Sequence, residues 1–168
     1  EEARQRDRQR AARRAKTRVR RLCKVMGADT LLTLTYRANQ TDLDLCKRHV
    51  KEFNRRMLRV LPGFAFVACF EPQSRGAWHV HLATRNIPAA LPGIKGEWRS
   101  FNVIRAIWRS VTGELGGNID LQRRKFNSQK SAAQVAAYIA KYIGKGFQDD
   151  QVEDGRNRYA VYGKVDVP

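Results

Sequence analysis

Residues 71–83, which read EPQSRGAWHVHLA, decide how the whole chain is interpreted. His79 and His81 are separated by one residue, so on a β-strand both imidazoles point to the same face of the sheet. We expect a core on the opposite face to receive the apolar neighbours Trp78, Val80 and Leu82. Two imidazoles side by side on a rigid strand supply two ligands for a metal ion, and a third is needed nearby.

Glu71 is the candidate for that third ligand. It ends the apolar run 64–70, and Arg75–Gly76 is typical of a hairpin turn that would lay Glu71 beside the histidine strand. A carboxylate with two imidazoles suits a divalent ion such as Mn²⁺ or Mg²⁺ that keeps positions open for water or phosphate. A His-x-His pair alone is more often incidental or packed in a core, so this hypothesis depends on the rest of the chain.

The charge of the chain indicates a polyanionic partner. Its 168 residues are enough for one domain with a real core, and 33 Lys and Arg against 16 Asp and Glu give a net charge of +17. Nucleic acid is the simplest partner for such a protein. Residues 1–25 hold 11 basic and 3 acidic residues. We therefore expect a basic arm or helix over 1–26 and a basic domain over 27–168.

Other classes of protein are disfavoured. No apolar run approaches the length needed to span a membrane, and no signal peptide opens the chain. Cys23, Cys46 and Cys69 are far apart, so neither a zinc knuckle nor a disulfide framework is indicated. We expect a cytoplasmic protein, and the start at Glu1 suggests a fragment of a longer chain.

Hydrophobic periodicity predicts an alternation of strands and helices. Asn39 or Thr41 is expected to cap the first helix after the arm, His49 to lie on the surface, and residues 86–96 to form a loop. The predicted elements are strand 31–37, a helix to about residue 60, strands 64–70 and 78–84, helix 97–111, strand 118–123, helix 131–145 and strand 158–162. This order is close to the split β-α-β pattern. The predicted fold is therefore α+β and ferredoxin-like, with an antiparallel sheet and helices on one or both faces.

The last predicted helix carries a second group of polar residues. Tyr138 and Tyr142 are four residues apart and share a helical face, and each is followed three residues later by a lysine, Lys141 or Lys145. A single tyrosine in a basic helix often only packs, with its hydroxyl in water. The repeated Tyr-x-x-Lys is less well explained in that way.

These two motifs carry a resemblance. His79-Val80-His81 followed by Tyr138-x-x-Lys141-Tyr142-x-x-Lys145 resembles the HUH endonuclease superfamily, and more narrowly the two-tyrosine rolling-circle replication initiators of phages and plasmids. Residues 31–37, of the form LTLT, resemble the first motif of that family. The resemblance spans roughly residues 30–147 and leaves the basic arm outside.

The resemblance implies an HUH endonuclease fold and a specific chemistry. A tyrosine, Tyr138 or Tyr142, would attack single-stranded DNA at a replication origin, leaving a free 3′-OH and a 5′-phosphotyrosine. Glu71, His79 and His81 would hold Mg²⁺ or Mn²⁺, while Lys141 and Lys145 would favour the phenolate or bind phosphate. It further implies the cytoplasm of a bacterial host, and a host helicase as a possible partner.

Three alternatives stay open. A relaxase or a transposase of the same superfamily would use the same chemistry, although relaxases usually carry three histidines and the single-tyrosine transposases lack a second tyrosine. A non-catalytic ferredoxin-like domain would bind nucleic acid through aromatic residues exposed on its sheet. A metal-dependent hydrolase of another type lacks a further cluster of ligands in this sequence.

Overall fold

The computed structural model describes residues 1–123, 131–148 and 158–165, and in its last helix it describes the side chains of residues 133–141. Within these ranges the helices are α1 Glu2–Met26, α2 Leu43–Val60, α3 Ser100–Thr112 and α4 Ser131–Gln148. The strands are β1 Thr30–Tyr36, β2 Phe66–Pro72, β3 Trp78–Thr84, β4 Ala90–Gly93, β5 Gly96–Arg99, β6 Gly117–Arg123 and β7 Tyr159–Tyr162.

Five of these strands form one antiparallel sheet in the order β6-β1-β3-β2-β7. The unit β1-α2-β2-β3-α3-β6 has the ferredoxin-like strand order, and β7 extends the sheet beside β2. The predicted α+β class, with an antiparallel sheet packed by helices, is confirmed.

The two faces of the sheet bury different sets of side chains. Leu32, Leu34, Val80 and Leu82 point toward α2 and α3, where they pack in a core rich in aromatic rings. Their sequence neighbours point toward α1 and α4, where smaller side chains such as those of Leu31, Val67, Ala83 and Val135 pack together. Strand alternation thus divides each strand between two cores. Both faces are covered by helices, and the histidines lie on the second face.

The first helix is more tightly integrated than its composition suggested. Little apolar periodicity is evident in residues 1–25, yet the second half of α1 buries Ala12, Ala15, Val19, Leu22, Cys23 and Met26 along one stripe. Three of these are small residues scattered among arginines, so the stripe is difficult to see in the sequence. The domain boundary at residue 26 stays a prediction.

Several local expectations were wrong. Residues 90–99 form the β4–β5 hairpin rather than a loop and a helix start, and α3 begins only at Ser100. Asp42 caps α2 by accepting a hydrogen bond from the Leu45 N–H at 3.1 Å. His49 is not a plain surface residue, since its Nδ1 lies 2.9 Å from the Tyr36 hydroxyl. Among the residues described, no helix is long and apolar enough to cross a membrane.

Candidate active site

The hairpin between β2 and β3 brings the predicted metal ligands together on one face. Glu71 lies directly opposite His79 in the antiparallel register. The turn closes through the Gln73 N–H, which donates to the Ala77 carbonyl at 2.8 Å, and Gly76 adopts φ 93°. That left-handed backbone favours glycine because a Cβ would be strained there. The predicted hairpin, with Glu71 beside the histidine strand, is confirmed.

His81 is the buried centre of the site. Its Nε2 lies 2.7 Å from a carboxylate oxygen of Glu71, and its side chain is 6% exposed. Its Nδ1 lies 3.2 Å from the Thr33 hydroxyl, because Thr33 is its register partner on β1. Both ring nitrogens therefore have a hydrogen-bonding partner from a neighbouring strand. This arrangement fixes the orientation of the imidazole from two sides.

His79 is half-buried at the outer end of the same strand. Burial lowers its pKa below the ordinary histidine value; His81 and Arg75 lower it further, while Glu71 opposes the shift. A lowered pKa means that the ring is neutral at pH 7 and keeps a lone pair available. The residue thus has the protonation state that a metal ligand requires.

Helix α4 brings Tyr138 over this cluster. Val135, Ala136 and Ile139 are buried against the sheet and anchor the helix. The Tyr138 ring stands edge-to-face to the His81 ring, with centroids 6.1 Å apart and an interplanar angle of 86°. Tyr138 is 36% exposed, so its outer part is accessible from solvent. The structure therefore joins the histidine motif and the first Tyr-x-x-Lys unit at one place.

The remaining predicted residues are described only in part. Lys141 is exposed on α4. Tyr142 and Lys145 belong to the same helix, but their side chains lie outside the described residues. Their predicted roles stay predictions.

The donor set of Glu71, His79 and His81 fits a divalent ion in chemical kind and in placement on one face. Among the described side chains, no three His, Cys, Asp or Glu residues already surround a common point. Glu71 and His81 instead bond directly to each other. An ion bound here would replace that hydrogen bond, and the three residues are those that would hold it.

Thr33 is the residue that sequence reasoning did not single out. It belongs to the LTLT segment, where alternation correctly assigned it to the face opposite Leu32 and Leu34. Its contact with His81 depends on the register between β1 and β3, and the hydrophobic pattern does not reveal that register. A polar residue on an otherwise buried strand face was the available signal.

Comparison with known proteins places this site in a family. The model of the replication-associated protein ORF2 family matches residues 29–147, a range that includes β1, the β2–β3 hairpin and nearly all of α4. No curated protein and no solved structure matches the chain. The match covers more than half of the chain and contains Thr33, Glu71, both site histidines and Tyr138. The chain belongs to this family of replication-associated proteins.

Proposed function

We propose that this protein is a metal-dependent endonuclease and strand transferase that nicks and rejoins single-stranded DNA through a 5′-phosphotyrosine intermediate. The observation that carries the proposal is the edge-to-face contact between Tyr138 and His81, with Glu71 bonded to the far side of the same imidazole. A nucleophile therefore stands beside a cluster of metal-ligand type. Membership in a replication-associated family makes DNA the natural substrate.

Tyr138 is the proposed first nucleophile. Its oxygen forms a bond to the scissile phosphorus while the bond from phosphorus to the 3′ oxygen breaks, and the departing oxygen takes up a proton to become a 3′-OH. A free phenol has a pKa of about 10, so a cationic environment is needed to favour the phenolate. Lys141, one turn further along α4, and the net charge of +17 supply such an environment.

Glu71, His79 and His81 would hold Mg²⁺ or Mn²⁺. A divalent ion there supplies Lewis-acid stabilisation of charge on the phosphoryl oxygens, which is worth several kcal/mol in such reactions. Thr33 would hold the His81 ring in place from the opposite side, at 3.2 Å. The neutral state of His79 keeps its lone pair ready for the ion.

The reverse reaction reseals the strand, and the second tyrosine extends the chemistry. The bond to phosphorus is exchanged and not lost to water, so no ATP is required. Tyr142, with Lys145 three residues later, would accept a second strand while Tyr138 stays attached. That capacity suits the initiation and termination of rolling-circle replication at a single-stranded origin in a bacterial host cell, with a host helicase as a possible partner.

The test is an incubation of the protein with a pool of single-stranded oligonucleotides and Mn²⁺, followed by a denaturing gel, with and without EDTA. We expect an SDS-resistant band of higher mass that is absent in EDTA. Salt-sensitive binding that is indifferent to EDTA and yields no such band would contradict the proposal. That result would support a non-catalytic binding domain instead.

The structure offers little support for that non-catalytic alternative. A sheet that stacks bases needs exposed aromatic rings. The sheet aromatics Tyr36, Phe66 and Phe70 are buried beneath α2 and α3. A relaxase or transposase would form the same adduct, and the two roles separate in the number of transfers: a replication initiator should use both Tyr138 and Tyr142.

A further inference from the structure

The exposed side of α1 is a second charged surface, which lies outside both the proposed active site and the family match. That match begins at residue 29, whereas α1 ends at Met26. From Ala12 to Met26 the helix carries seven basic residues and no acidic one. Six of the seven are exposed and Lys16 is half-buried: Arg13, Arg14, Lys16, Arg18, Arg20, Arg21 and Lys24.

Helical periodicity arranges these charges in two rows. Arg14, Arg18 and Arg21 are spaced by four and three residues and share one side of the helix. Arg13, Arg20 and Lys24 are spaced by seven and four residues and share the other. Across Arg13–Lys24 the helix rises about 17 Å, at 1.5 Å per residue. Both rows face away from the buried stripe.

The charges are not neutralised within the described part of the protein. None of the seven basic side chains forms an ion pair with a described acidic residue. Like charges at this density repel one another and disfavour the folded state unless an anion screens them. A polyanion with regularly spaced charges is therefore the ligand that this surface suits best.

The surface is rigid, and it is held beside the tyrosine helix. The buried stripe of α1 packs with Val135, Ala136 and Ile139 of α4. These residues flank Tyr138, whose ring lies against His81. A loose basic tail could reach many places, but α1 is fixed relative to the proposed nucleophile.

We infer that the two basic rows of α1 bind the phosphate backbone of the DNA strand that is presented to the active site. This inference rests on the proposed function for the identity of the strand. Phosphate contacts by Arg and Lys supply affinity and orientation without reading sequence. Base-specific recognition would be left to the residues 29–147 that the family model covers.

The test compares two triple variants of equal charge. In the first, Arg14, Arg18 and Arg21 become Gln, which removes one row of α1. In the matched control, Arg48, Lys51 and Arg59 become Gln; these residues are exposed on α2, across the sheet. Binding of a labelled single-stranded oligonucleotide is measured in EDTA at several salt concentrations, and thermal unfolding confirms that both variants fold.

The α1 variant should bind about tenfold or more weakly near 0.1 M salt, and the slope of log K against log salt should become shallower by about 2, because each lost phosphate contact removes about 0.7. The control should keep most of the affinity and slope. Equal losses in the two variants would overturn the inference, since net charge alone would then explain binding. Unchanged affinity of the α1 variant for DNA, with lost binding to anionic lipid vesicles, would overturn it in favour of a membrane surface.

The two proposals fail in different ways. Binding is measured without metal, so the role of α1 does not depend on formation of a covalent adduct. If the wild-type protein forms no adduct but the α1 variant loses salt-dependent binding, the proposed chemistry fails while the α1 surface stands. If the adduct forms and the α1 variant binds like wild type, only the inference about α1 fails.

Discussion

The two faces of the central sheet are built from the same strands but from different kinds of residue. Toward α2 and α3, alternate positions carry large apolar side chains, which pack with the rings of Phe53, Phe64 and Trp108. Toward α1 and α4, the intervening positions carry smaller apolar residues at one end and Thr33, His81 and Glu71 further along. The first face is a continuous apolar core, and the second combines a core with polar groups.

This difference shows how a small domain combines stability with a polar site. On β3, Val80 and Leu82 are buried in the first face, so the backbone of the strand is held firmly while His79 and His81 project from the second. Buried polar groups are costly unless they have partners. His81 meets that requirement through contacts on both ring nitrogens, and its partners come from the two adjacent strands.

The largest expected effect separates the histidines of the two faces. His81→Ala should reduce the rate of adduct formation by about 10³-fold, because it removes a proposed ligand and a neighbour of Tyr138. His49→Ala is the matched control, since His49 lies on α2 and contacts Tyr36 and Trp108 on the other side of the sheet. It should leave the adduct rate close to wild type. Equal losses in the two variants would contradict the assignment of the site to one face.

A second expected effect concerns stability. Phe53→Ala should lower the free energy of unfolding by about 3 kcal/mol or more, because it opens a cavity beneath fully buried aromatic contacts. Val135→Ala, on the site face, should cost only about 1 kcal/mol, since it removes less buried surface. Denaturant unfolding measures both. If Phe53→Ala does not fold, Phe53→Leu should show a smaller loss of the same sign, and a larger loss for Val135→Ala than for Phe53→Ala would contradict the comparison.

The smallest expected effect tests how His81 is held. Thr33→Val should weaken Mn²⁺ binding by about tenfold, as is typical when a partner of a ligating histidine is removed. The hydroxyl can donate to or accept from Nδ1, so Thr33→Ser should restore most of the affinity. Titration calorimetry gives the affinity, and nitrogen NMR of the imidazole reports its tautomer independently of activity.

Thr35→Val provides the control for that experiment. Thr35 lies two residues further along the same strand, and its hydroxyl donates to the Asn118 carbonyl at 3.2 Å. Its loss should leave the His81 spectrum and the Mn²⁺ affinity unchanged. A Thr33→Val protein with a wild-type His81 spectrum and wild-type affinity would show that Thr33 does not position the ring.

Much of this organisation could be predicted from the sequence. Alternation in β3 assigned the histidines and their apolar neighbours to opposite faces, and Arg75–Gly76 indicated the hairpin that sets Glu71 opposite His79. The order of elements predicted the ferredoxin-like sheet. These features follow from local periodicity and turn chemistry, which a single sequence carries.

Other features depend on contacts between distant parts of the chain. The β4 segment contains Pro92 and Gly93, so it lacks the pattern of a strand, and its pairing with β5 was missed. His49 has an ordinary surface-like context in sequence, yet it lies 2.9 Å from Tyr36. The contacts of His81 with Thr33 and Tyr138 required the strand register and the position of α4.

The most direct test of the proposed chemistry is to locate the nucleotide on the protein. Trypsin cleaves after Lys130, Lys141 and Lys145, so Tyr138 falls in the peptide 131–141 and Tyr142 in the peptide 142–145. After reaction with an oligonucleotide and Mn²⁺ and digestion of the bound DNA, mass spectrometry should find the added 5′-nucleotide on residues 131–141 in the first transfer. Addition to 142–145 alone would make Tyr142 the first nucleophile, and a modified peptide containing neither tyrosine, or no modification at all, would contradict the phosphotyrosine mechanism.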